Sequence, residues 1–226
     1  MGIALRGLLP RILMVAACAM FWPTAASSRG ESPRSLADPP ISELRELLRI
    51  GGIDDDAWAG LREEGSWGDR QREILQRILF RMAGLSADDL DRWSDDSIDW
   101  RSLATDPAEF QGRLFRIEGL VRSIQVLNAP PDTARRFQTK RIYRAEIVVD
   151  RGARTIVVFA RAVPEMWRRG GTIEQPGGAE AVFLSRRAEG EAEPTAVFAA
   201  ARLASYADDR LLGRLGMDLG LLDDVV

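Results

Sequence analysis

The chain has no histidine, and its single cysteine, Cys18, lies in an apolar stretch near the N-terminus. Without histidine the protein cannot build a Ser-His-Asp triad or a Cys-His pair. The scarcity of imidazole and thiolate groups also argues against zinc, copper or haem sites and against thiol redox chemistry. Carboxylate pairs, Ser-Lys pairs, tyrosine, arginine, and Ca²⁺ or Mg²⁺ held by carboxylates remain open.

Lysine is nearly absent as well, since Lys140 is the only one and every other basic side chain is an arginine. Codon usage in a GC-rich bacterial genome would explain this bias, and so would selection for planar, bidentate contacts. The spread of arginine along the whole chain favours codon usage. The formal net charge is only −3, so overall charge does not point to nucleic acid or to an acidic membrane surface.

The first residues have the pattern of an export signal. Two arginines flank the start of an apolar stretch, residues 12–22, that is too short for an ordinary transmembrane helix. Small residues follow at 23–27, where a signal peptidase would cut. We therefore predict a signal peptide over residues 1–27, a flexible linker rich in Ser and Pro over 28–40, and a protein of the periplasm or cell envelope.

Two alternatives would attach the protein to a membrane. Val15-Ala16-Ala17-Cys18 resembles a lipobox, which would make Cys18 a lipidation site. The apolar stretch continues past Cys18, so ordinary cleavage near Ala26 is the preferred interpretation. An uncleaved signal would also hold the chain at a membrane. After cleavage near Ala26, the mature chain has no cysteine and must fold without a disulfide.

Residues 41–104 form an acidic segment with helical periodicity, with nine basic and fifteen acidic side chains. The most regular stripe predicts a helix over about 68–82. Ser66 with Asp69, and Ser86 with Asp89, have the spacing of capping boxes at helix starts. The apolar stripe consists of Ile74, Leu75, Ile78, Leu79 and Met82.

Residues 105–207 have the two-residue alternation of β-strands. The alternation slips after Gly119, and a glycine at such a slip indicates a bulge or a sharp bend. A single helical turn is expected at 164–167. The predicted strands cover residues 113–126, 142–149, 154–161, 179–185 and 195–205.

Five strands, the first long and bent, with a helical turn between the third and fourth, resemble the OB-fold. The segment from Asp106-Pro107 to Gly112-Arg113-Leu114-Phe115-Arg116-Ile117-Glu118-Gly119 looks like the start of bacterial OB domains. The strings over 175–184 and 215–223 resemble signatures of a family of exported bacterial proteins. The expected fold is therefore α+β, an N-terminal helical segment followed by a five-stranded OB-like antiparallel β-barrel. An SH3-like barrel and an open five-stranded sheet are the alternatives.

The loop between the first two strands is the candidate binding site. In OB-folds this loop and the loop between strands four and five flank the ligand face. Basic groups interleaved with aromatic rings suit phosphates and stacked bases. A solvated loop, or a patch that docks onto the acidic helical segment, would show the same pattern. The candidate ligand-binding residues are Arg135, Arg136, Phe137, Lys140, Arg141, Tyr143 and Arg144.

Several acidic groups argue against other sites. The four-five loop contains Glu189, Glu191 and Glu193, which would repel a nucleic acid. Export is a second reason to expect a different ligand. Acidic clusters at 54–56 and 88–91 suit helix N-termini and lack the spacing of calcium loops. We therefore predict no metal site, no cofactor and no catalytic residue.

The C-terminal tail, residues 208–226, is apolar with interspersed acids and glycines. It is expected to pack back on the fold; the alternative is a docking segment for a partner or for a second copy.

The leading interpretation is a non-enzymatic exported binding or scaffold protein that takes a protein partner or a small anionic ligand. The first alternative is a polyanion or single-stranded nucleic-acid-binding OB module. The second is a hydrolase with a carboxylate-based site, which requires a pocket holding perturbed acids. A further alternative makes the chain a subunit of an envelope assembly, with the C-terminal tail as its contact.

Overall fold

Short helices make up the start of the described chain. The computed structural model describes residues 43–62, 67–188 and 194–206. The predicted signal peptide with Cys18, the linker and the C-terminal tail lie outside these residues. In the described part, no helix is both long and apolar enough to cross a membrane. The helices of this segment are α1 Leu44–Ile50, α2 Asp55–Arg62, α3 Asp69–Met82, α4 Ala87–Trp93, α5 Trp100–Thr105 and α6 Pro107–Phe110.

The predicted stripe of α3 is confirmed, since all five of its apolar side chains are buried. The helix begins after Gly68, whose backbone N–H donates to the Gln71 side chain at 3.0 Å. Ser66, the predicted cap, lies outside the described residues. The capping box at the start of α4 is confirmed, because the Asp89 backbone N–H donates to the Ser86 hydroxyl at 3.2 Å.

Seven strands form one mixed sheet in the order β1-β2-β3-β4-β6-β5-β7. Since β2 also pairs with β5, five of them close into a ring: β2, β3, β4, β6, β5 and back to β2. The strands are β1 Ser94–Asp95, β2 Leu114–Asn128, β3 Arg141–Val149, β4 Arg154–Ala162, β5 Gly171–Arg187, β6 Thr195–Arg202 and β7 Ala204–Ser205. Helix α7, Pro131–Arg136, lies in the loop between β2 and β3.

The α+β class is confirmed, but the purely antiparallel arrangement is wrong. β6 lies beside β4 and runs parallel to it, pairing Val157 with Val197. β5 pairs antiparallel with β2, and β6 is antiparallel to β5, so β6 runs in the same direction as β2. β4 also runs in that direction, and β6 therefore lies parallel to it. Alternation reports which face a side chain occupies and carries no information on strand direction. The fourth predicted strand also begins earlier, at Gly171, because a stretch containing Pro176 and two glycines still pairs with β2.

The irregularity in β2 lies close to the predicted position. The register shifts between Val121 and Ser123 on both sides of β2. Against β3 the extra residue is Arg122, whereas against β5 the extra residue lies on β5, between Thr172 and Gln175. Gly119 instead marks a point where the β3 backbone leaves no room for a Cβ on β2. The predicted bulge thus lies about three residues before the observed one, because Gly119 allows a close approach of β3 and does not insert an extra residue.

The two faces of the sheet bury different apolar clusters. One contains Phe115, Ile147, Phe183 and Phe198. On the opposite face, the buried side chains of α1, α2 and α3 pack against side chains of the strands, so the helical segment and the strands share a core. The second cluster includes Leu48, Trp58, Leu61, Ile78, Leu79, Leu114, Val157, Val182 and Val197.

Candidate functional site

A groove of about 930 Å³ lies where helix α3 meets the face of β2, β3 and β4. The strand register explains its apolar floor. Leu127 on β2 lies opposite Ile142 on β3, and Val157 on β4 lies opposite Val197 on β6. Leu75 of α3 closes the apolar surface from the helix side. The floor therefore crosses four neighbouring strands, β2, β3, β4 and β6, which is about 14 Å at the usual strand spacing.

An aromatic stack forms one wall of the groove. The rings of Trp67 and Phe159 are stacked with centroids 4.9 Å apart and an interplanar angle of 25°. The guanidinium of Arg187 lies 5.5 Å from the centroid of the Trp67 ring, a distance typical of a cation-π contact. Both contacts hold the indole in place, so this wall is preformed.

The groove carries an excess of positive charge. Three arginines line it, Arg72, Arg144 and Arg187, and Glu146 is the only acid among its described lining residues. Arg144 donates to Glu146 at 2.8 Å, and the Ser123 hydroxyl donates to the same carboxylate at 3.2 Å. The Arg144 hydrogen bond holds the pKa of Glu146 below its usual range, although burial opposes the shift. Glu146 is therefore ionised and already engaged at neutral pH.

Gln76 of α3 supplies a polar group that the fold leaves unsatisfied. Its side chain lines the groove and is 2% exposed. Its Oε1 has no hydrogen-bond partner among the described residues. A buried acceptor without a donor costs about 1–3 kcal/mol, so natural proteins rarely retain one without a reason.

The predicted basic loop does not assemble as one site. Helix α7 docks onto α3 through an ion pair of 2.8 Å between Arg136 and Glu73, which matches the alternative of docking within the chain. Arg135 pairs with Asp132 on its own helix at 2.6 Å. Phe137 is buried, and its ring contacts Phe80.

The remaining predicted residues separate according to strand alternation. Tyr143 is buried in the cluster on the opposite face of the sheet. Lys140 and Arg141 are exposed and do not line the groove. Arg144 does line it, and is the one member of the predicted set that does so. The acidic residues of the four-five loop, at 189–193, lie outside the described residues.

Sequence reasoning missed the helix side of the groove. Arg72 and Gln76 contribute from α3, and Trp67 from the residues just before it. Gln76 lies beside the predicted apolar stripe and not within it, so its residue type gave no signal of a site. Nothing local indicated that this helix would lie against β4 and β6.

A smaller cavity of about 410 Å³ lies beside Arg116 and Trp100. Arg116 forms ion pairs with Asp91, Asp96 and Glu180, at 2.6, 3.1 and 3.6 Å. These pairs connect the segment around α4 to β2 and β5, and they account for the local acids. Within the described ranges, no group of three or more acidic or cysteine residues could hold a metal ion.

No protein family, curated protein or solved structure matches this chain.

Proposed function

We propose that this is an exported, non-enzymatic binding protein, and that its five-stranded ring is an OB-like barrel with a ligand groove on one face. The observation that carries the proposal is the position of the groove. It lies on β2, β3 and β4, between the start of the β2–β3 loop, at Asn128 and Pro130, and the end of β5, at Arg187. OB-folds bind their ligands on the corresponding face, between the corresponding loops.

The strand order supports the OB-like assignment. Numbered from β2, the ring runs first, second, third, fifth, fourth and back to first. The first strand has 15 residues, pairs with β3 and with β5, and shifts register against both between Val121 and Ser123. A short 3₁₀ turn, Glu165–Trp167, stands between the third and fourth strands, where the sequence predicts a helical turn.

The groove has the character of a small-molecule site. Such sites have volumes of about 300–1,000 Å³, with mostly apolar linings and a few placed polar groups. Paired carboxylates would need a second acid, and Glu146 has none beside it among the described lining residues. This composition favours binding over the carboxylate-based hydrolase.

The nucleic-acid alternative receives little support from the aromatic residues. Stacking of bases requires exposed ring faces. Phe137 and Tyr143 are buried, and the ring of Trp67 is already stacked on Phe159 and capped by Arg187. A small ligand fits these surfaces better than a polymer.

A bulky side chain that fills the groove should weaken ligand binding and leave the fold intact. Thr155 is an exposed strand residue that lines the groove, so Thr155→Trp is expected to weaken binding of the uncharged fluorophore N-phenyl-1-naphthylamine at least tenfold. The matched control is Thr172→Trp, an exposed threonine of β5 outside the groove. Fluorescence titration of purified protein measures both. Binding that is absent in the wild type, or equal in the two variants, overturns the proposed site.

Export can be measured directly on the mature chain. In a bacterial host, we expect cleavage near Ala26 and an unmodified mature mass, because small residues follow the apolar stretch. Intact-mass spectrometry with N-terminal sequencing checks this. A diacylated or triacylated N-terminus at Cys18 would establish the lipoprotein alternative, and an uncleaved chain would contradict export of a free protein.

A further inference from the structure

We infer that the groove binds an amphipathic anion whose apolar body lies on the strand floor and whose acidic head group meets Arg72 and Gln76 of helix α3. This inference rests on the proposed function, because it names the chemical class of ligand for the same groove. It goes beyond that proposal by placing the apolar part of the ligand on the strand floor and its head group at helix α3.

The floor defines the apolar part of the ligand. Leu127 lies opposite Ile142 and Val157 lies opposite Val197, and the ring of Phe159, opposite Arg144, lies between these two apolar pairs. Contact with such a surface contributes about 25 cal/mol for each Å² of apolar area removed from water. A chain or ring of six to ten carbons fits within the roughly 14 Å width given by the strand spacing.

Charge decides the sign of the head group. A cation would meet the guanidinium of Arg72, and the one carboxylate of the described lining, Glu146, is already engaged by Arg144 and Ser123. Like charges in a partly desolvated groove repel strongly, whereas an anion gains charge-assisted hydrogen bonds. Arginine also presents a planar fork that matches a carboxylate.

Helix α3 gives the position of the head group. Arg72 and Gln76 are four residues apart, one turn of the helix, so they share the face that borders the groove. The ion pair of Arg72 with Asp69 is 3.4 Å long and exposed, with 58% and 97% of the two side chains accessible. Exposed pairs of this kind contribute little, so Arg72 can exchange this partner for a ligand.

Gln76 supplies a second, independent observation. Its amide is buried at the groove, and its Oε1 lacks a donor among the described residues. The amide N–H₂ of the same side chain can donate to a carboxylate, whereas Oε1 only accepts and forms no hydrogen bond with the anion.

The test compares three probes of equal chain length by displacement of N-phenyl-1-naphthylamine. Octanoate is expected to displace the fluorophore at a concentration at least tenfold lower than octanol, and octylammonium is expected to be the weakest of the three. Raising the salt concentration should weaken octanoate and leave octanol unchanged. Octanol equal to octanoate, or octylammonium stronger, overturns the anionic head group while the groove itself stands.

Two arginine variants locate the head group. Arg72→Gln should weaken octanoate about tenfold and leave octanol unchanged, since it removes the charge and not the floor. Arg70→Gln is the control, because Arg70 is exposed on α3 and does not line the groove. Equal losses in both variants would show a diffuse electrostatic effect and overturn the placement. Loss of fluorophore binding itself would implicate the proposed groove instead.

Discussion

Gly119→Ala should lower the free energy of unfolding by about 3 kcal/mol, the upper part of the range for overpacking a tightly packed site. A Cβ at this position would collide with the Val148 carbonyl oxygen and lie 2.8 Å from Ile147 Cγ2. The obstruction is backbone of β3, which is held by its hydrogen bonds to β2 and β4. It cannot give way as the end of a flexible side chain would, so the strands must separate.

The control for this prediction is Gly60→Ala. Gly60 lies in helix α2, and the atom nearest to a Cβ there is Ile74 Cδ1 at 3.8 Å, an ordinary contact. Alanine should therefore raise stability by about 0.5–1 kcal/mol, because glycine in a helix has the greater conformational freedom to lose on folding. Urea unfolding followed by circular dichroism measures both variants. Equal stabilities of Gly119→Ala and the wild type would contradict the close strand approach.

Local pattern identifies the elements of this protein well and their contacts poorly. The stripe of α3 and the positions of the first three strands of the ring follow from periodicity, since burial of one face is imposed residue by residue. Closure of the ring does not follow, because pairing of β2 with β5 joins Gly119 to Gly177 across 58 positions. The strand propensity of Pro176 and its neighbouring glycines gives no hint of that pairing.

The candidate site shows the same division. A run of arginines and aromatic rings between two strands suggests one cluster, but strand alternation sends Tyr143 to the core and Arg144 to the groove. Helix α7 then carries Arg136 to Glu73 on α3. The groove needs helix α3 and side chains of β2, β3, β4 and β6, and the helix lies far from these strands in sequence. Gln76 lies outside the apolar stripe of α3, so periodicity did not indicate that the helix has a second role.

Two of the buried glutamines in the described part of the chain, Gln111 and Gln76, are in opposite circumstances, and their replacement should have opposite effects. Gln111 and Gln76 are each 2% exposed. The Gln111 Nε2 donates to the carbonyls of Trp58 and Leu184, at 2.9 and 2.7 Å, and so joins α2 to β5. Gln111→Leu removes this donor from two buried acceptors and should lower the free energy of unfolding by about 3 kcal/mol.

Gln76→Leu should instead stabilise the free protein by about 1 kcal/mol, because it removes an unsatisfied buried acceptor with a change to a side chain of similar size. The same substitution should weaken octanoate binding, since the head group loses its partner on α3, and should leave octanol binding unchanged. Urea unfolding and fluorophore displacement on one preparation measure both effects. Lower stability with unchanged octanoate affinity would mean that Gln76 supports the fold alone. If Gln76 serves the ligand, Gln76→Leu should show higher stability together with weaker octanoate binding. The native glutamine would then lower the stability of the free protein and contribute to binding.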